Sequence, residues 1–230
     1  MLGMMRDLLF RPDVFFEEET KKPESMKLPG LIVIIGAAIS AGTAYIVSET
    51  TNRILEQIPE VSGMASLLGA IGAIFAFILF IILWWLIFSG IFYGISMAFS
   101  GKGGFKRTLA NTGFGLVPVI IGLVISFFLA LYYIPMVEIP VLGSISDPTA
   151  IQMAVTQLLQ DPAFTTYRII STIISIIFLL WSANLWIFGM KYARNLSVKH
   201  AALTVIVPVV IYLIIILVST FSGIQIPGGT

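Results

Sequence analysis

Five stretches of the chain run apolar for twenty residues or more, with short polar segments between them. They cover about residues 28–47, 67–99, 108–134, 166–190 and 201–222, and no Asp, Glu, Lys or Arg lies well inside any of them, Arg168 standing at the start of the fourth. A bilayer core needs roughly 20 apolar residues in a helix, and in lipid the backbone must satisfy its own hydrogen bonds. The pattern therefore predicts an all-α polytopic membrane protein, a five-transmembrane-helix bundle. The second stretch exceeds what a membrane requires and predicts a tilted helix or one that starts above the bilayer.

Charge gives the chain a direction. Arg6, Arg11, Lys21, Lys22 and Lys27 precede the first span, Lys102, Lys106 and Arg107 follow the second, and Lys191, Arg194 and Lys199 follow the fourth. Eleven of the 13 basic residues thus fall on one side. Basic loops stay in the cytoplasm, so the N-terminus is expected inside and the C-terminus outside. Residues 1–27 read as a cytoplasmic segment and 28–230 as one transmembrane domain. Within that segment, MLGMMRDLLF places Leu2, Met5, Leu8 and Leu9 on one helical face; an interfacial helix and a loosely ordered tail both fit. On the other side, Asp147 and Pro148 read as the start of a helix ended by Asp161-Pro162, with apolar pairs at 150/151, 154/155 and 158/159.

Composition agrees, with 58% apolar residues, 11% charged and a mean hydropathy of +1.01. No cysteine is present and His200 is the only histidine, so neither thiolate chemistry nor a histidine metal site has the ligands it needs. No catalytic residue, metal site or cofactor is expected, and an enzyme is not the expected class. The SGKGGFKR loop resembles a phosphate-binding loop only superficially. Ser96 stands where its first glycine belongs, Gly103 where its hydroxyl residue belongs, and a membrane helix leads in. A tight turn is the better reading.

Polar residues inside the spans are mainly Ser and Thr. Asn184 reads as an amide that bonds across helices, and Ser182 and Asn184 would line any solute path. Small residues at Gly36, Ser40 and Ala44, and at Gly90 and Gly94, predict close helix packing and allow a second copy as partner. A weak parallel repeat relates Trp85, Ile91-Phe92 and Val117-Pro118 to Trp181, Ile187-Phe188 and Val207-Pro208, predicting a kink at each proline.

Several segments together, LLFRPDVFFEEE, GKGGFKRTLANTGFGLVPVIIG and LLWSANLWIFGMKYARNLSVKHAA, resemble the prokaryotic branch of the Yip-domain family, named for Ypt/Rab-interacting proteins. The resemblance implies a five-span membrane fold. Eukaryotic members are linked to prenylated Rab GTPases and carry Asp-Leu-Tyr-Gly-Pro, of which Leu8-Leu9-Phe10-Arg11-Pro12 keeps the hydrophobic-aromatic-proline outline. The expected function is a membrane-organising or partner-binding scaffold acting through its basic cytoplasmic loops. Its contact residues are Phe105, Lys106 and Arg107 in one loop and Lys191, Arg194 and Lys199 in the other. Expected partners are membrane lipids, a cytoplasmic or membrane protein, or a second copy, and not nucleic acid. A transporter or channel for a neutral or lipid-like solute is the alternative. The expected location is a prokaryotic cell membrane.

Overall fold

A computed structural model describes residues 2–58, 62–141 and 148–221. Among these, every regular element is helical. Two short helices, α1 (Leu2–Phe10) and α2 (Pro12–Thr20), precede the first span, α3 (Lys27–Leu55). The second span is one continuous helix that changes winding along its length, from α4 (Ala65–Leu79) through a π-helical stretch (Phe80–Ile87) to α5 (Phe88–Ala98). The third is divided into α6 (Phe105–Gly115) and α7 (Val117–Tyr133). A further helix, α8 (Pro148–Gln160), leads into the fourth and fifth spans, α9 (Pro162–Ala193) and α10 (Val198–Phe221). Five segments are long and apolar enough to cross a membrane, and they correspond one for one to the five apolar stretches. Asp147, the expected cap of α8, lies outside the described residues.

The third span occupies the centre. Half of its most apolar window is buried (50%), against 11% for the second span, which faces outward. Its α6 half packs on α3, α5 and α9, and its α7 half on α3 and α9. The main core gathers Val33, Phe80, Phe88, Phe92, Leu116, Leu179, Trp186 and Val205, drawn from all five spans. Aromatic rings dominate it: Trp84 stacks on Phe88 at 5.3 Å and meets Tyr212 edge-on at 4.9 Å. Without a hydrophobic driving force between helices in lipid, close packing has to supply much of the attraction. Gly36 shows how tight it is, since a Cβ there would lie 2.7 Å from the Phe80 ring and 2.8 Å from Ile120. Gly90 and Gly94, by contrast, have no neighbour within 4 Å of the added Cβ among the described residues, so this pair is not a close-packing point there.

The two prolines of the sequence repeat behave differently. Pro118 follows a break at Leu116, and the buried amide of Val119 donates to Ser182 Oγ at 3.2 Å. Pro208 stands inside an unbroken α10. A neighbouring hydroxyl satisfies the freed backbone group at the first site, which lets the helix part there.

The N-terminal segment joins the bundle. Leu8 and Phe16 are fully buried and share a second core with Ile32, Phe114, Val117 and Leu185. Pro12 occupies the first turn of α2, where its missing N–H costs nothing, with Asp13 beside the positive end of the helix dipole. At the opposite end a small core of Ile54, Val137 and Leu158 seats α8 against the bundle. Asp161 fixes that junction by accepting from the Ala163 and Phe164 amides (2.8 and 2.9 Å) and from the Glu138 amide (3.2 Å).

Candidate functional site

The expected contact residues converge on one end of the bundle, built by the turns after α5 and α9 and by the docked α1–α2 pair. Both turns finish their helices in the same way. After α5, Ser100 adopts φ 57° and the Gly101 amide returns to Ser96 O at 2.9 Å; after α9, Asn195 adopts φ 51° and the Leu196 amide returns to Lys191 O at 2.9 Å. Each is the six-to-one closure of a Schellman motif, and each satisfies a helix-terminal carbonyl. The SGKGG stretch is thus a turn, and its first positive φ falls on Ser100 rather than on a glycine. Gly103 is constrained by its own φ of 108° and by Ala193 O, which a Cβ would strike.

Arg194 ties the two turns together from inside. It is 2% exposed, with Nε donating to Ser96 Oγ at 2.8 Å, Nη2 to Gly101 O at 2.7 Å and Nη1 to Gly103 O. Its guanidinium lies over the Tyr93 ring at 4.2 Å, and its carbonyl accepts from the Lys102 amide at 2.7 Å. A planar fork with five donors suits this arrangement of separated acceptors, where a single ammonium would not. Arg194 is a structural tie.

Arg107 and Lys191 hold the N-terminal segment. Arg107 donates to Glu19 O at 3.1 Å and Lys22 O at 3.0 Å, capping the C-terminal end of α2, and its Nε lies 3.6 Å from Glu24 Oε1. Lys191 Nζ meets Asp13 Oδ1 at 2.5 Å and Tyr192 Oη at 3.0 Å. The hydrogen bond from Lys191 is the main reason the Asp13 carboxyl titrates below its ordinary range. The remaining expected contact residues face outward. Lys106 and Lys199 are exposed and have no ion pair among the described residues, as does Lys102 beside them. Phe105 is 39% exposed and leans edge-on against Tyr93 at 5.4 Å. His200, half-buried, stacks flat on Phe99 at 4.7 Å.

The two intramembrane polar residues are not brought together. Ser182 is fully buried at the α6–α7 break, whereas Asn184 is exposed on the outer side of α9. The amide that does bond across helices is Asn111, 2% exposed, whose Nδ2 donates to Gly189 O at 2.9 Å. Two tryptophans act likewise on α6: Trp186 Nε1 donates to Thr112 O at 2.9 Å and Trp85 Nε1 to Leu109 O at 2.8 Å. Among the described residues no group of three His, Asp or Glu side chains is placed to hold a metal ion.

Comparison with known proteins bears on what this arrangement is for. A 126-residue stretch, 55% of the chain, is 37% identical to an uncharacterized protein of Methanocaldococcus jannaschii and covers 87% of that protein. No solved structure matches. A family model described as the Yip1 domain matches residues 6–220, a range that takes in the docked N-terminal helices as well as all five spans. The chain is a multi-pass membrane protein and belongs to the Yip1 domain family.

Proposed function

We propose that the protein is a non-catalytic scaffold that presents its basic end, on the cytoplasmic side of a prokaryotic cell membrane, to anionic headgroups and to a protein partner. The division among the basic residues carries this reading. Arg107, Lys191 and Arg194 are engaged by the protein itself, tying the two turns and the N-terminal segment together. Lys102, Lys106 and Lys199 are left exposed around Phe105 on that platform. A surface already ordered loses less freedom on binding. Each lysine near an anionic leaflet contributes about 1 kcal/mol. The segment that keeps the outline of the eukaryotic motif is docked on the bundle, with Leu8 buried and Phe10 69% exposed against Trp181.

Photo-crosslinking in living cells from position 105 tests the reading. One recurring protein in the captured material supports the scaffold. Capture of lipid alone, or of another copy of the chain, removes the partner. The orientation is tested separately on this cysteine-free chain by Lys102→Cys and Gln152→Cys, which should label from the inner and outer face respectively. The reverse pattern overturns the cytoplasmic assignment.

A further inference from the structure

Arg168, in the second turn of α9, is turned into the bundle: its Nε and Nη2 atoms are buried without a hydrogen-bond partner. A guanidinium keeps its proton under all ordinary conditions, so a buried one without an anion is uncompensated charge. Arg53, the other basic residue at this end, pairs with Glu49 at 3.4 Å, whereas no carboxylate among the described residues pairs with Arg168.

The guanidinium lines a cavity of about 350 Å³ between α7, α9 and α10. Arg168, Ser171, Ser175 and Phe178 follow one another along its wall at helical spacing and so share one face of α9. From Arg168 to Phe178 the wall runs roughly 15 Å, at about 1.5 Å per residue. Trp84, brought in by the π-helical stretch, and Tyr212 line the same space. The polarity is therefore graded: Arg168 and the Tyr167 phenol at one end, the serine hydroxyls next, and the Trp84, Phe178 and Tyr212 rings further in. Ser175 is exposed, which leaves the side of the groove open.

We propose that this groove holds one anionic lipid, its phosphate paired with Arg168 and an acyl chain lying along α9 toward Trp84 and Phe178. Arginine suits phosphate because two parallel N–H donors match two phosphate oxygens. A free phosphate would fill only the charged end and leave the aromatic length empty. The site is separate from the basic end, since Lys191 lies 23 residues further along the same helix, roughly 35 Å away.

The test is native mass spectrometry of the full chain in detergent, titrated with dioleoyl phosphatidylglycerol, dioleoylglycerol or inorganic phosphate. The expected result is one tightly retained phosphatidylglycerol, weakened at least ~10-fold in Arg168→Gln and partly restored in Arg168→Lys. Ser175→Phe, a substitution at an exposed position, should block the groove with Arg168 intact and lower retention similarly. That second variant decides the matter if Arg168→Gln fails to fold. Equal retention by wild type and Ser175→Phe overturns the proposal. Retention of dioleoylglycerol as strong as that of phosphatidylglycerol also overturns it, and so does inorganic phosphate competing at equal concentration.

Discussion

Replacing Arg194 by lysine separates a buried tie from a surface contact, because both residues carry the same charge. Three hydrogen bonds leave the guanidinium, to Ser96, Gly101 and Gly103. Lysine can reach one of these acceptors at a time, so two are lost. Hydrogen bonds to a charged group contribute about 1.5–3 kcal/mol each, and water entering the loop recovers part of the loss, so the net cost is about 3 kcal/mol. At roughly 2–4 °C per kcal/mol for a chain of this size, the melting midpoint falls by about 6–12 °C. Lys102→Ala and Lys199→Ala change exposed side chains without ion pairs, and each should stay within about 0.5 kcal/mol of wild type. Fluorescence-detected unfolding in one detergent measures all three, and limited proteolysis of residues 99–104 reports whether the turn has opened. If Arg194→Lys melts within about 2 °C of wild type, a change of at most about 1 kcal/mol, the tie is not what holds the two turns.

Three further outcomes follow from the packing. Gly115→Ala would drive a Cβ into the Trp186 ring and disturb its bond to Thr112 O, costing about 2–4 kcal/mol, while Gly72→Ala meets open space and should be neutral or better in the same unfolding assay. Asn111→Ala should lower stability by about 1–3 kcal/mol because the buried bond between helices to Gly189 O is lost, and Asn184→Leu, at an exposed position, should not. The Asp13 carboxyl is depressed by Lys191, so that contact is fully formed above the ordinary carboxylate value of about 3.9 and is lost as pH falls through the lower folded value. Protease cleavage after α2 should therefore rise only below about pH 4 in wild type, and should already be raised at neutral pH in Asp13→Asn.

The spans were legible because twenty uncharged residues in lipid leave the backbone one solution, and the basic residues cluster in three segments of the sequence itself. Rotation of each helix about its own axis was not legible. A helix apolar all round carries almost no directional signal, so nothing in the sequence ranks Asn111 above Asn184 as the inward amide. For the same reason Arg168 reads as a span end, although its guanidinium is turned inside. Arg194 was hidden differently: its partners Ser96, Gly101 and Gly103 lie more than ninety positions away, and only the meeting of two Schellman closures makes an arginine there irreplaceable. The docking of α1 and α2 did leave a trace, since Pro12-Asp13 is a helix-start signal followed by the aromatic pair Phe15-Phe16. The matched prolines show the limit of repeats as evidence, because Pro118 and Pro208 share a local sequence but only one has a serine hydroxyl waiting across the interface.

The union of Asp13 with Lys191 joins positions 178 residues apart, and it sets a clock on biosynthesis. At about 5–20 residues per second, the ribosome needs roughly 10–35 s between making the first residue and making the second. Through that interval Leu8, Phe15 and Phe16 have emerged, yet Leu185, on the fourth span, does not exist to cover them. The earliest-made helices are thus among the last to find their place, and their arrival marks the insertion of the fourth span. A nascent chain stalled before α9 would display an apolar, aromatic N-terminus that the finished protein conceals, which gives quality control a feature by which to tell the unfinished product from the finished one.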